Sequence, residues 1–181
     1  VNSILDIQQQ VENARNGDHR AFLQLMKHME VRLYRIAHAM VKRQEDIVDV
    51  MQETMIRAYE SLHQLRESHF FETWMIRILI NQCNLILRKR KQIIPFSEIR
   101  TSTPPHTAYD SVDIRQVVDQ LEEDKRQLII LHYFQDIPIK QVAEILDISE
   151  STAKTRLHRT RKLLSRWIED QEEGGHTHEK R

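Results

Sequence analysis

The chain has 181 residues, room for one large domain or two small ones that each bury a core. It is 40% hydrophobic and 30% charged, a folded protein's composition; with three glycines it lacks the Gly spacing of a P-loop or dinucleotide fingerprint and the turn glycines of a many-stranded β fold. The net charge of zero hides unlike blocks: 14 Lys+Arg against 11 Asp+Glu over 1–91, 4 against 8 over 92–136, 7 against 3 over 137–166 and 2 against 5 over 167–181. The single cysteine, Cys83, rules out an internal disulfide and a Cys-based zinc site, and it reads as a small buried hydrophobe. No apolar run approaches 18 residues and no signal pattern opens the chain, so a cytoplasmic protein is expected.

In chain order, Ile4 to Arg15 reads as a helix with Ile4, Ile7 and Val11 on one face, ending at Asn16-Gly17. Asp18 caps a second helix that runs to about Arg43, with Phe22, Leu25, Met26, Met29, Leu33 and Ile36 at helical spacing. A third spans Asp46 to Leu62, with Ile47, Val50, Met51 and Leu62 on its apolar side. After a polar loop, His63 to His69, a fourth runs from Phe71 to about Gln92, anchored by Trp74, Ile78 and Leu85. The periodicity then stops in a stretch holding Pro95, Pro104 and Pro105, which reads as a linker. Beyond it, Ile114, Val117, Val118 and Leu121 share one helix and Leu128 to Phe134 another, and Pro138 is expected in the first turn of a third. The fold class expected is all-α: two small helical domains, 1–91 and 113–170, a flexible Pro/Ser/Thr-containing linker over 92–112, and a disordered tail over 171–181.

The stretch Ile137 to Ser165 carries the most information. Ile139, Val142, Ala143 and Leu146 make a two-turn amphipathic helix, and Asp147 takes the turn position as one of the few residues besides Gly that tolerate a left-handed backbone. Ile148 plugs the corner, Ser149 caps the next helix, and Glu150, Ser151 and Thr152 fill its first turn. That second helix buries Ala153 and Leu157 and exposes Lys154, Thr155, His158, Arg159 and Lys162. From Lys154 to Arg166 there are six bases and no acid. Cations for phosphate, beside side chains that reach base edges, are what a helix in the major groove needs, so a DNA-binding helix-turn-helix is expected.

Two further helices are polarised. Asp46, Asp49, Glu53 and Glu60 line one side of the third helix with Gln52 beside them, a stripe that suits either a protein partner or plain solvation. Arg77, Asn81, Asn84 and Arg88 follow along the fourth helix behind Phe70, Phe71 and Trp74. Rings beside a basic stripe suit single-stranded nucleic acid; Trp74 reads as core, while Phe70 and the loop before it are the candidates to meet unpaired bases.

Three motifs stand in order over residues from about 20 to 168. Asp49-x-x-Gln52-Glu53-Thr54-x-x-Arg57-Ala58-Tyr59, Trp74-x-x-Arg77-Ile78-x-x-Asn81 with its basic run, and Ser149-x-x-Thr152-x-Lys154-x-Arg156-Leu157-x-Arg159-x-Arg161 together resemble bacterial sigma factors of the extracytoplasmic-function type. The resemblance implies a transcription initiation factor, not an enzyme, with two helical domains and no third between them. Its implied partners are core RNA polymerase, promoter DNA and an anti-sigma factor, with no catalytic residue, metal or cofactor and no membrane insertion. By the same likeness Asp49, Gln52 and Glu53 dock on the polymerase. Phe70, Arg77, Asn81, Asn84 and Arg88 engage and open the −10 element, and Ser151, Thr152, Lys154, Thr155, His158, Arg159 and Lys162 read the −35 element. Val50-Met51 and Leu79 depart from the family pattern, Leu79 by a larger side chain. The rival reading is a helix-turn-helix regulator that acts without core polymerase. A linker of about 19 residues reaches at most roughly 60 Å, enough for two DNA elements between one and two duplex turns (~34 Å each) apart.

Overall fold

The computed structural model describes residues 3–93 and 114–175; the linker beyond Ile93 and residues 176–181 lie outside them. Among the described residues every regular element is helical, in two units.

The first unit comprises α1 (Ser3–Arg15), α2 (His19–Val41), α3 (Gln44–Ser61), two 3-10 turns (Leu62–Gln64 and Ser68–Phe70) and α4 (Phe71–Ile93). Gly17 adopts φ +95°, which closes the α1–α2 corner without a Cβ penalty. Asp18 then caps α2, its Oδ1 accepting from the backbone N–H groups of Arg20 and Ala21 at 2.8 and 3.2 Å. The whole expected apolar face of α2 is buried, extended by Ala37, Met40 and Val41. Between α2 and α3 the backbone turns through Lys42 at φ 63°, ψ −35°, with the N–H of Arg43 donating to the Val41 carbonyl at 2.7 Å. This three-residue γ-turn is strained for a residue with a side chain.

α3 buries Ile47, Val50, Thr54 and Ala58, leaving Met51 at the margin. α4 differs from the expectation. Its core face is Phe71, Met75, Ile76, Leu79, Ile80 and Cys83, whereas Trp74 and Ile78 are half-buried and Leu85 is 43% exposed. The run Met75 to Ile80 is interrupted only by Arg77, so several helical phases look equally apolar, and packing against α2 and α3 selects one of them. Leu79, the larger side chain noted above, is completely buried there and fills core volume.

The second unit begins with α5 (Ile114–Asp119) and α6 (Glu123–Ile129), which runs on through five π-helical residues, Ile130–Phe134. Val118, Leu121 and Ile129 form a core against which Leu157, Leu163, Leu164 and Trp167 pack. Then come α7 (Ile139–Leu146) and α8 (Glu150–Gly175). Pro138 sits just before α7, not in its first turn: its carbonyl accepts from Val142 N–H at 3.0 Å. α4 ends at Ile93, about where its periodicity placed the end, whereas α8 runs past the expected domain end at 170 to reach Gly175. The start of the expected tail is therefore helical, since elongation adds one backbone bond per residue with no break before the Gly174-Gly175 pair.

Candidate polymerase and nucleic-acid interfaces

The helix-turn-helix is built as its sequence demands. Val142, Ala143 and Ile145 are buried beneath α7, with Ile139 and Leu146 at the edge. Asp147 takes φ 57°, and Ile148 N–H donates back to the Ala143 carbonyl at 3.0 Å, closing the turn. Ser149 Oγ accepts from Thr152 N–H at 3.1 Å and lies 2.7 Å from Thr152 Oγ1, a complete N-cap. Ala153 is fully buried under α8.

Ser151, Lys154, Thr155, His158, Arg159 and Lys162 are all exposed along α8. Thr152 is half-buried, its hydroxyl engaged with the cap, and Thr155 Oγ1 donates to the Ser151 carbonyl at 2.9 Å. Arg156 leaves the cationic face, reaching Asp124 at 3.4 Å and linking α8 to α6. Sequence periodicity missed two features here. Asp136 is a second left-handed residue, at φ 52°, and His132 Nδ1 lies 2.9 Å from the Ile137 carbonyl, pinning the strand of chain that enters α7.

On α3 the acidic stripe divides. Asp46, whose side chain is only 13% exposed, is ion-paired with Arg90 of α4. It belongs to the bundle, and so does one cation of the run that ends α4. Asp49 and Gln52 are exposed, and Glu53 Oε1 accepts from Arg57 Nε at 2.7 Å. The end of the motif is structural: Ala58 is buried, and Tyr59 bonds His19 Nδ1 at 2.9 Å while meeting Phe22 edge-on at 5.1 Å. Beside Gln52, α2 and α3 leave a shallow open groove lined by Glu30, Val31, Tyr34, Val48 and Met51. Val31, Tyr34 and Val48 are 59, 41 and 44% exposed, an apolar lining that the acidic periodicity concealed.

Ahead of α4, Phe70 is exposed and lies 3.9 Å, centroid to centroid, from His69, whose Nδ1 is 3.4 Å from Glu67. Arg77, Asn81 and Arg88 are exposed on α4 and Asn84 is half-buried on the same side. Glu72 holds Arg32 of α2 at 2.7 Å, which ties the start of α4 to α2. Among the described residues no group of three His, Cys, Asp or Glu side chains is placed to hold a metal.

Two family models match this chain: Sigma-70 region 2 over residues 25–93 and Sigma-70 region 4 over residues 111–164. The RNA polymerase sigma factor SigV of Bacillus subtilis is 31% identical over 134 residues, 72% of this chain and 81% of that protein. The chain belongs to the sigma-70 family of RNA polymerase sigma factors, extracytoplasmic-function type. The extracytoplasmic-function sigma factor SigW of Bacillus subtilis is 26% identical over 91% of the chain and 97% of its own length. Among solved structures, CnrH in complex with the cytosolic domain of CnrY matches with TM-score 0.71 at 21% identity, covering 91% of this chain and 98% of that one. The Bartonella quintana sigma factor RpoE, in complex with the anti-sigma factor NepR, matches with TM-score 0.65 at 20% identity, over 82 and 96%. In this sigma factor the region 2 match holds the α2–α3 groove, Asp49, Gln52, Glu53 and the outer side of α4. The region 4 match holds the helix-turn-helix.

Proposed function

We propose that this sigma factor binds core RNA polymerase through the outer face of α2 and α3, opens the −10 element with α4 and the loop before it, and reads the −35 element with α8. One observation carries the reading: a single chain pairs an acidic and apolar surface suited to a protein with a separate helix-turn-helix whose exposed face from Lys154 to Arg166 holds cations and no acid, suited to DNA. Gln52 and Glu30 border the apolar groove, so desolvated contact at Val31, Tyr34 and Val48 supplies affinity while the polar rim sets orientation. The exposed Phe70 ring with His69 offers a face for an unpaired base, and Arg77, Asn81, Asn84 and Arg88 follow the displaced strand. Opening a duplex this way needs no catalysis, only tighter binding of the open strand than of the closed one.

The solved neighbours in complex with CnrY and NepR support an anti-sigma partner for this chain as well. A cytoplasmic location follows from partnership with the polymerase; among the described residues no helix is long and apolar enough to cross a membrane. A regulator acting without polymerase would leave the α2–α3 surface without a use. The test is competition between forked and fully duplex −10 templates for polymerase carrying this factor. Wild-type factor prefers the fork, and Phe70→Ala lowers that preference about tenfold, the scale of one lost stacking contact. Equal affinity of the wild type for fork and duplex contradicts the assignment.

A further inference from the structure

We propose that Glu150 and Lys154 act as one specificity-determining unit that reads a G·C base pair of the −35 element, Lys154 on the guanine and Glu150 on the cytosine. The inference rests on the reading of α8 as the −35 helix. Glu150 is the first residue of α8, at the end of a recognition helix that meets base edges, and Lys154 follows one turn later. Lys154 Nζ lies 2.7 Å from Glu150 Oε1, with the two side chains 62 and 42% exposed. The hydrogen bond from Lys154 and then its charge hold the Glu150 carboxyl below its ordinary value against desolvation, with a lesser lowering from Lys140 of α7.

An exposed i,i+4 pair adds little to the stability of a helix already packed on a core. A carboxylate at the leading end of this helix also repels phosphate, so it weakens any binding through the DNA backbone alone. What it can accept from in the major groove is an exocyclic amine. The guanine O6 and cytosine N4 of one base pair are hydrogen-bonded to each other and so lie about 2.9 Å apart. The ammonium and carboxylate of the pair present donor and acceptor at a matching separation, in the complementary order. Guanine offers the ammonium N7 as well as O6, whereas a T·A pair offers one O4 beside a methyl group, so the fit favours G·C. In the free protein the same contact neutralises Lys154 and lowers its attraction to DNA of unrelated sequence.

The test uses the full chain with core polymerase, selecting promoters from a library randomised across the −35 element, together with salt titrations of the chain on unrelated duplex. Wild type selects G·C at one position. Glu150→Ala relaxes that position by about tenfold, and Glu150→Gln moves it toward T·A, because an amide pairs best with adenine. Both variants bind unrelated duplex more tightly, with a salt slope steeper by about one unit as Lys154 becomes available to phosphate. Arg159→Ala is the control for the groove assignment and shifts a different position. If Arg159→Ala shifts its position while both Glu150 variants select as wild type, the pair does not read bases and the −35 assignment survives. If none of the three alters selection, the −35 assignment fails and takes the inference with it. Wild-type selection of another base pair at the position sensitive to Glu150 overturns the G·C assignment.

Discussion

α3 and α8 are both long surface helices with a buried stripe, yet what they leave outside differs in kind. α3 exposes Asp49 and Gln52 beside Val48, Met55 and Ile56, and it shares an apolar groove with Val31 and Tyr34 of α2. The part of α8 that follows the turn exposes Lys154, Thr155, His158, Arg159 and Lys162 while its apolar residues face the unit's own core. Exposed apolar surface beside carboxylates gains from a partner that removes it from water, which is the logic of a protein interface. Cations without exposed apolar neighbours gain from phosphate and counterion release, the logic of DNA. Charge alone does not draw this line, since Asp46 and Arg90 carry opposite charges and serve only to join α3 to α4.

The comparison is sharpened first by removing what supports the α3 surface. Leu79→Ala, in the fully buried face of α4, is expected to cost about 2–5 kcal/mol of stability by denaturant unfolding. Leu85→Ala, on the exposed side, should stay within about 0.5 kcal/mol of wild type. The opposite order would mean that the helical phase of α4 is misassigned. Next in size, Tyr34→Ala with Val48→Ala should weaken core polymerase binding by roughly 2 kcal/mol, about 30-fold, without lowering the unfolding midpoint. The triple replacement of Asp49, Gln52 and Glu53 by Ala should weaken it by about tenfold. Undiminished capture of core by both variants would remove the α2–α3 surface from the account.

On the DNA side, Arg159→Ala should cost about 1–3 kcal/mol and relax one or two positions of the −35 element. Lys162→Ala, nearly one turn further along, should weaken all sequences alike and reduce the salt slope by about one unit. An exchange of these two phenotypes would show that α8 lies in the groove differently. The smallest effect expected is at the α2–α3 corner. Lys42→Gly removes the Cβ penalty at φ 63° and should stabilise the chain by up to ~1 kcal/mol, read as a rise in the unfolding midpoint.

That corner also shows where sequence reasoning stops. The boundary after α1 was legible because Gly17 and Asp18 announce it chemically, and Asp147 and Ser149 do the same for the helix-turn-helix. The α2–α3 turn passes through Lys42, a residue with no turn preference, held there by the helices on either side. The buried face of α2 from Phe22 to Ile36 could be read, since those residues recur at one helical phase among charged ones. α4 could not, because its near-continuous apolar run fits more than one phase, and neighbouring helices bury Leu79 rather than Leu85. In the candidate sites, exposure along α8 followed directly from one cationic face over one apolar face. The apolar groove beside Gln52 was invisible, because its walls come from two helices and its lining residues are scattered between charged ones. The Asp46–Arg90 and Arg156–Asp124 pairs are likewise long-range and carry no local signal.

Transcription reconstituted from purified parts tests the central claim most directly. Core RNA polymerase is mixed with the full chain on a genomic promoter library, transcript starts are mapped, and protection of the same DNA by the chain alone is measured in parallel. Discrete starts that require the chain, sharing a −10 and a −35 sequence, with little selective protection in the absence of core, are the result expected. Selective protection of those sites by the chain alone, with no change in where core polymerase starts, would contradict it.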